Sequence, residues 1–293
     1  MSHTSSAVIY DLHSHTVASD GALTPEQLVH RAVEMGITTL AITDHDSTAG
    51  LPAAHQEIAR ANLPLQLING TEISTLWENH EIHIVGLGMD ITHPALVAFL
   101  AEQHERRNRR AEMIAERLAK ARIPGAWEGA LRLADGGTVT RGHFAKFLIE
   151  DGRANTMADV FKHYLARGKT GYVPPQWCTI EQAIDVIHHS GGVAVVAHPG
   201  RYRLSAKWLK RLLAHFAELG GDAMEVAQCQ QAPDERAKLA AYATQFGLMA
   251  SQGSDFHQPC TWIELGRKLW LPEGLQPVWQ HWNAPETSKE RVV

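Results

Sequence analysis

Cysteine is scarce in this chain and is not arranged for a structural role. The three cysteines, Cys178, Cys229 and Cys260, are far apart and form no Cys-x-x-Cys pair. Their spacing excludes a disulfide framework and a thiolate zinc site, and it favours a reducing cytoplasm as the compartment. The first six residues lack the basic and apolar regions of a signal peptide, and no apolar run approaches the roughly 20 residues that span a membrane. We therefore expect a cytoplasmic protein with no membrane-spanning segment.

An excess of positive charge is also missing. The net charge is -5, the sequence pI is about 6.4, and there is no long basic tail. This balance excludes general coating of duplex DNA but leaves open a nucleotide or a short RNA end held locally. The chain has no Gly-x-x-x-x-Gly-Lys-Ser/Thr loop to hold phosphate as P-loop enzymes do. It also has no Gly-x-Ser-x-Gly motif, so a serine hydrolase has no support.

Apolar residues and histidines are plentiful. The hydrophobic fraction of 44% over 293 residues is enough for a large core, and 18 histidines accompany the three cysteines. Imidazole together with carboxylate makes a site for manganese, zinc or iron. Short apolar runs alternate with helical patterns, which predicts an α/β fold with a parallel sheet, open or closed into a barrel. The predicted strands are 7–12, 39–43, 65–68, 82–87, 192–197, 223–226 and 248–251. Capping boxes that begin at Thr24 and Thr179 predict the starts of two helices.

This alternation of strands and helices breaks near residue 95. Residues 96–121 show a charged helical pattern, and the following stretch to about residue 177 is mostly helical or irregular in pattern. We predict a discontinuous barrel domain at 7–95 and 190–275, and a mainly helical insertion at 96–189. Residues 285–293 are expected to form a loose tail.

Candidate metal ligands occur at or near the ends of six predicted strands. In an extended chain residues two apart face the same side, so His13 and His15 can share one ion. Taken singly the signals are weak, because Asp20 also suits a turn and His83 also suits a core position. Together they lie where catalytic groups collect in parallel barrels. The nine candidates are His13, His15, Asp20, His45, Glu72, His83, His198, Asp255 and His257.

Nine ligands exceed the coordination sphere of a single ion. We therefore predict a cluster of two or three ions with a bridging carboxylate. Such clusters generate a metal-bound hydroxide and clamp the oxygens of a phosphoester. We expect Glu72, Asp255 and His198 to hold that hydroxide. Asp44 is expected either to orient a ligand histidine or to fix a turn.

Six short motifs carry a family resemblance. They are Asp11-Leu12-His13-Ser14-His15, Thr43-Asp44-His45-Asp46, Gly70-Thr71-Glu72, Ile82-His83-Ile84-Val85-Gly86, Ala197-His198-Pro199-Gly200 and Gly253-Ser254-Asp255-Phe256-His257. In residue type and order they resemble the polymerase and histidinol phosphatase (PHP) family, over about 7–95 and 190–260. The resemblance implies a distorted (β/α)7 barrel, here with an inserted helical subdomain. It also implies a trinuclear site, usually of manganese, with magnesium, zinc or iron as other candidates.

The resemblance also implies how the ligands are shared among three ions. His13, His15, Glu72 and Asp255 would hold the first ion. Glu72 would bridge to a second ion held with His83 and His198. Asp20, His45 and His257 would hold the third. Many relatives have histidine where this chain has Asp20, and this harder ligand is expected to make the third site weaker and more selective for manganese or magnesium.

Several cationic groups are candidates for binding substrate phosphate. Similarity to PHP nucleotide phosphatases implies that Arg141 and His143 reach over the cluster, although a capping or surface role is the alternative. Arg201 and Tyr202 follow the ligand His198, and the tyrosine ring is able to stack on a base. A helical stripe of arginines either lines a groove for an RNA backbone or, as we favour, forms a solvated face paired with glutamates. The stripe consists of Arg106, Arg110 and Arg117.

With its insertion, the chain resembles bacterial PHP enzymes that act on nucleic acid ends. The resemblance implies a 5′-to-3′ exoribonuclease that acts on RNA 5′ ends and short oligonucleotides, including 5′ maturation of ribosomal RNA. It also implies a phosphatase of 3′,5′-nucleoside bisphosphates such as pAp. One alternative is a small-metabolite phosphatase of the histidinol phosphatase type, and the other is a non-catalytic metal-binding module. All nine ligand positions are filled, which speaks against the last.

Overall fold

The computed structural model describes residues 8–283, so the predicted tail at 285–293 lies outside the described residues. The described strands are β1 (Tyr10–Asp11), β2 (Thr39–Ile42), β3 (Gln66–Trp77), β4 (His80–Leu87), β5 (Cys178–Thr179), β6 (Val193–Val196), β7 (Ala223–Ala227) and β8 (Met249–Gln252). The described α-helices are α1 (Pro25–Glu34), α2 (Leu51–Ala61), α3 (Pro94–Lys120), α4 (Ala126–Ala134), α5 (Arg141–Glu150), α6 (Met157–Val160), α7 (Ile180–His189), α8 (Ala206–Glu218), α9 (Pro233–Phe246) and α10 (Gln280–Asn283). A π-helical turn follows α6 at Phe161–Leu165, and a 3-10 turn follows β6 at Pro199–Tyr202.

Seven strands form a nearly closed barrel in the order β1-β2-β3-β4-β6-β7-β8, and β5 pairs with the outer end of β3. Backbone hydrogen bonds join the first strand to the last. The Leu12 N–H donates to the Gln252 carbonyl at 3.1 Å, and the Asp255 N–H donates to the His13 carbonyl at 2.9 Å. The prediction of a distorted seven-stranded α/β barrel is therefore confirmed.

The prediction of a parallel sheet is wrong at β4, which runs antiparallel to both β3 and β6. The reason is a two-residue turn at Glu78 and Asn79, whose φ angles are 47° and 65°. Positive φ at both central residues matches the twist of a tight hairpin. The reversal brings the amino-terminal half of β4, with His83, to the barrel edge at which β2 and β6 end.

Apolar residues fill the barrel and cover its outside. In β6, Val193 and Val195 belong to the cluster inside the barrel, whereas Ala194 and Val196 pack against the surrounding helices. This alternation follows from the two-residue period of a strand. The side opposite the ligand-bearing edge is closed by the ring of Trp279, which stacks on Tyr10 at 4.2 Å between ring centroids. The capping boxes predicted at Thr24 and Thr179 are both present.

The helical insertion has an apolar core of its own, which extends from Ala111 to Val173. Leu96 and Leu100 at the start of α3 pack instead with the barrel, and so does α7. The division at 96–189 stays a prediction, and the separate core is narrower than that range. Within residues 8–283 no helix is both long and apolar enough to cross a membrane.

Candidate active site

Glu72 lies at the centre of the predicted ligands. Its Oε1 is 2.8 Å from His83 Nδ1 and 2.9 Å from His198 Nε2. Its Oε2 is 2.9 Å from His45 Nδ1, and 3.4 Å and 3.5 Å from Nε2 of two further histidines, His15 and His13. Burial raises the pKa of Glu72, but the surrounding histidines hold it well below its usual range. One carboxylate thus contacts five imidazoles, as a bridging ligand would.

The remaining carboxylates complete the cluster on either side of His15. Asp255 Oδ1 is 3.1 Å from His15 Nε2 and 3.4 Å from His13 Nε2. Asp20 Oδ1 is 3.3 Å from His257 Nε2. Burial lowers the pKa of His257, but the two aspartates raise it to about 10. The structure brings all nine predicted ligands together.

Three subsets of these residues present donor atoms within 4.8 Å of one another. They are His15, Asp20, His45 and His257; His13, His15 and Glu72; and His45, Glu72 and His83. The first subset contains the three residues expected to hold the third ion. The second subset contains three of the four expected at the first ion.

Several donor atoms in the cluster are buried without a hydrogen-bond partner among residues 8–283. They are Asp20 Oδ1, His45 Nδ1, Glu72 Oε2 and His198 Nδ1. His45 Nδ1 and Glu72 Oε2 are 2.9 Å apart, but their orientation does not make a hydrogen bond. Unpaired buried polar atoms are costly, at about 1–3 kcal/mol each. Divalent cations would satisfy them, so the nitrogen and oxygen donors present fit a metal cluster.

The backbone is strained at this edge of the barrel. His198 and Asp255 have positive φ angles, of 29° and 54°, and Asp46 next to His45 has a φ of 48°. Such conformations cost about 1–3 kcal/mol per residue and persist only where neighbouring contacts hold them. Asp46 is held by a buried ion pair with Arg107, whose Nε is 3.1 Å from Asp46 Oδ2. No pattern in the sequence had indicated this ion pair.

Asp44 fixes the loop that joins His15 to Asp20. Its carboxylate accepts hydrogen bonds from the Thr16 N–H at 2.8 Å, the Thr16 hydroxyl at 2.7 Å and the Ser19 hydroxyl at 2.6 Å. Of the two roles considered for Asp44, the structure supports fixing a turn. Ser19 Oγ is itself 3.4 Å from His15 Nδ1, so the same turn also borders a ligand.

Arg141 lines a cavity of about 280 Å³ between the insertion and the barrel. Asp20, His45, His83 and His257 line the same cavity, so the guanidinium faces the cluster side of the insertion. Its Nη2 is 3.0 Å from Glu81 Oε2. A cationic fork at this position is suited to phosphate oxygens.

His143 is placed differently from Arg141. It is buried, and its Nδ1 accepts a hydrogen bond from the Thr140 N–H at 3.1 Å, as the third residue of a capping box. Burial lowers the pKa of His143 to about 4. The structure therefore favours the capping role, which was the alternative to phosphate binding.

Arg201 and Tyr202 both contact the cluster. The Arg201 guanidinium pairs with the Asp255 carboxylate. Tyr202 Oη accepts a hydrogen bond from the His83 N–H at 2.9 Å, and its half-buried ring meets the His198 ring edge-on at 5.2 Å between centroids. These contacts make Tyr202 a support for two ligand-bearing segments.

The predicted arginine stripe anchors residues 172–177 to α3. Arg117 donates to the Tyr172 carbonyl at 2.6 Å, and Arg110 donates to the Val173 carbonyl at 3.1 Å. Arg110 is buried and also pairs with Glu81 at 2.8 Å, so the favoured interpretation as a solvated face is wrong for this residue. That interpretation holds for Arg106, which pairs with Glu102 on the exposed side of α3.

Comparison with known proteins decides the family. The sequence pattern described as PHP domain matches residues 11–173. The chain belongs to the PHP family. This membership confirms the predictions of a PHP fold and of a phosphoester hydrolase.

Two relatives and one solved structure are similar to this chain over nearly its whole length. The 5′-3′ exoribonuclease Rnm of Escherichia coli (strain K12) is 74% identical over 293 residues, which is 100% of each chain. The 3′,5′-nucleoside bisphosphate phosphatase of Chromobacterium violaceum is 42% identical over 276 residues, which is 94% of this chain and 96% of the other. A solved structure of an amidohydrolase from Chromobacterium violaceum, with bound sulfate and no metal, has a TM-score of 0.88 and 41% identity. The match covers 94% of this chain and 96% of the chain in the solved structure.

Glu225 in β7 contacts two of the candidate ligands on the side away from the cluster. It was not among the predicted site residues. Its Oε1 is 2.6 Å from His13 Nδ1. Its Oε2 accepts hydrogen bonds from the His198 N–H at 2.7 Å and from the Gln228 side-chain amide at 3.0 Å. The signal was a carboxylate inside the otherwise apolar run Ala223–Ala227. Carboxylates that orient ligand histidines in this way raise their basicity.

We expect Glu225→Gln to lower metal affinity and phosphoesterase activity by about 10–100-fold, because the amide no longer polarises His13. Metal titration followed by activity measures this loss. Glu218→Gln, an exposed residue of α8, is the matched control. Unchanged metal affinity in the Glu225 variant would show that the contact with His13 does not tune the site.

Proposed function

We propose that this PHP protein is a metal-dependent hydrolase that removes nucleotides from the 5′ ends of RNA, ribosomal RNA included. We also propose that it removes phosphate from 3′,5′-nucleoside bisphosphates such as pAp. The observation that carries the proposal is a nine-residue ligand cluster that opens into a cavity lined by arginines. The names of the two similar enzymes support both substrate classes. The described cysteines are free thiols, which supports a cytoplasmic location.

We propose that the cluster binds two or three ions and that manganese is the preferred metal. His13, His15, Glu72 and Asp255 would hold one ion, and the other two groups expected from the family would hold the rest. When bound, such ions act as Lewis acids on phosphoester oxygens and lower the pKa of water. Glu72 carries its charge to both sides of the cluster, since each of its oxygens contacts separate histidines.

The cavity supplies the positive charge that holds the substrate phosphates. Arg141 and Arg110 share the Glu81 carboxylate, at 3.0 Å and 2.8 Å. Trp177 Nε1 donates to Glu81 Oε1 at 2.8 Å, so this carboxylate is fixed. Glu81 therefore orients two guanidiniums toward one space and leaves a net positive charge there. Preorganised donors of this kind stabilise the negative charge that develops during phosphoryl transfer.

One panel of substrates tests the proposal against its rivals. The protein with manganese should release mononucleotides from a short 5′-phosphorylated RNA and phosphate from pAp, and it should act poorly on histidinol phosphate. Preference for histidinol phosphate would favour the small-metabolite phosphatase. Absence of all three activities in metal-loaded protein would favour a non-catalytic module. The arginine-lined cavity supports the nucleotide substrates over the small metabolite.

We expect Arg141→Ala to lower kcat/KM for pAp about a hundredfold, because one preorganised cation is lost from the cavity. Arg141→Lys should recover only part of this loss, since lysine keeps the charge but not the planar fork. Steady-state phosphate release measures both variants. Arg167→Ala, an exposed residue of the same insertion, should behave like the wild type. Equal kcat/KM for pAp in the Arg141 and Arg167 variants would remove Arg141 from the substrate site.

A further inference from the structure

A second, larger cavity meets the cluster from the other side. It has a volume of about 560 Å³ and lies between α5 and residues 258–263. Asp20 and His257 line both cavities, so the cluster stands where the two cavities join. A phosphodiester held at that junction would have one nucleoside on each side. The two cavities therefore offer separate places for the two nucleotides that a phosphodiester links.

The walls of the second cavity are suited to bases. Leu133, Ile149 and Ile263 give it an apolar lining. Trp262 is 69% exposed and directly precedes in sequence Ile263, which lines the cavity together with Cys260. Exposed tryptophans at the rim of such a groove serve as stacking platforms for single-stranded nucleic acid.

The two cavities differ in the charges that line them, and this difference indicates which cavity binds the 5′-terminal phosphate. The charged lining of the first cavity consists of three arginines, Arg107, Arg110 and Arg141, and two carboxylates, Asp20 and Glu81. Among the described residues, the second cavity is lined by one lysine, Lys146, and by the carboxylates of Asp20, Glu150 and Asp255. Lys146 lies near the junction, with its Nζ 3.4 Å from the Asp20 carbonyl. A terminal phosphate carries about 1.5 to 2 negative charges at neutral pH, and an internal phosphodiester carries one. The more cationic cavity thus suits the 5′-terminal phosphate.

We infer that the second cavity binds the RNA strand on the 3′ side of the scissile phosphate, with Trp262 stacking a base and Lys146 contacting an internal phosphate. The 5′-terminal nucleotide then occupies the arginine-lined cavity. The inference rests on the proposed function, and it adds the division of the substrate between the two cavities. A bisphosphate such as pAp has no nucleotide beyond the scissile phosphate. Its hydrolysis needs the first cavity alone.

Two substitutions in the full-length protein test this assignment. Trp262→Ala and Lys146→Ala are made singly and together, and Trp208→Ala and Lys207→Ala on the exposed face of α8 are the matched controls. With manganese, kcat/KM is measured for pAp and for 5′-phosphorylated RNAs of two to five nucleotides. Loss of one stacking partner should lower kcat/KM for the pentanucleotide about tenfold, and the double variant should lose more. Activity on pAp should stay within about twofold, and the RNA defect should grow with RNA length.

Affinity for RNA provides a second measurement. For an uncleavable 5′-phosphorylated pentanucleotide, Lys146→Ala should reduce the slope of log K against log salt by about 0.7, the value for one phosphate contact on a single strand. Equal losses on pAp and RNA would overturn the assignment, and so would unchanged RNA cleavage in the double variant. In both cases an active wild type leaves the proposed function standing. A wild type that cleaves pAp but not RNA would overturn the assignment together with the RNA half of the proposed function.

Discussion

Glu72→Gln is expected to lower kcat/KM for phosphoester hydrolysis by at least about a thousandfold, or roughly 4 kcal/mol of transition-state stabilisation. Both oxygens of Glu72 lie within 2.9 Å of histidine nitrogens that belong to different parts of the cluster. Glutamine keeps the size but has no negative charge, and an amide NH2 group, which cannot bind a cation, replaces one of the two oxygens. The variant therefore lacks the carboxylate that would bridge neighbouring ions.

Steady-state phosphate release from pAp measures the effect of Glu72→Gln, and elemental analysis of the same samples measures bound metal. Glu34→Gln at the exposed end of α1 is the matched control and should change neither quantity. Thermal unfolding of the two variants shows that each is folded. A Glu72 variant that keeps its full metal content and more than a tenth of its activity would contradict the bridging role.

Removal of metal by a chelator is expected to reduce activity on pAp and RNA to background and to lower the Tm. Ions that bind only the folded protein stabilise it. The gain is about 2.7 kcal/mol for each site when the free ion concentration is a hundred times the Kd of that site. For a chain of this size that corresponds to a shift of at least several degrees. The cluster explains the direction, because buried donors such as Glu72 Oε2 and Asp20 Oδ1 lack hydrogen-bond partners within residues 8–283.

Re-addition of manganese should restore both the activity and the Tm of the chelated protein. In Glu72→Gln the same cycle should change the Tm by less, because fewer ions are bound. Full activity after exhaustive chelation would contradict a metal-dependent reaction. An unchanged Tm with full loss of activity would mean that the ions bind too weakly to stabilise the fold.

Most of the ligand cluster could be predicted because its residues occur at strand ends. His45, His198 and Asp255 each follow a short apolar run, and the ends of parallel strands meet at one edge of a barrel. Asp20 and His257 lie in loops, where a single polar residue is a weak signal, so their inclusion depended on the other candidates in the set. The structure brings them within 3.3 Å of each other, at Oδ1 and Nε2.

The direction of β4 was not predicted, because the hairpin depends on a turn with weak sequence signals. Glu78 and Asn79 take positive φ without a glycine between the two strands. Asn adopts this conformation readily, but Glu does so rarely, so the turn resembled an ordinary loop. His83 reaches the cluster only because β4 is reversed.

Supporting contacts between distant segments were also beyond sequence reasoning. Glu225 meets His13 across 212 positions of the chain, and Arg107 meets Asp46 across 61. Neither pair has a local spacing that identifies its partner. A charged residue in a buried strand or helix face indicates that a partner exists, since an unpaired buried charge is costly. Only the folded arrangement of the strands identifies which residue that partner is.

Stepwise addition of manganese to the metal-free protein, with pAp hydrolysis recorded at each step, tests the metal cluster most directly. We predict no activity without metal, and activity that rises until two or three ions are bound per chain. Arg141, which Glu81 holds in place, should bind the substrate phosphate at every step of the titration. We therefore expect KM to vary less than kcat. Full activity with no metal, or a maximum at one ion, would contradict a multinuclear phosphoesterase site built around Glu72.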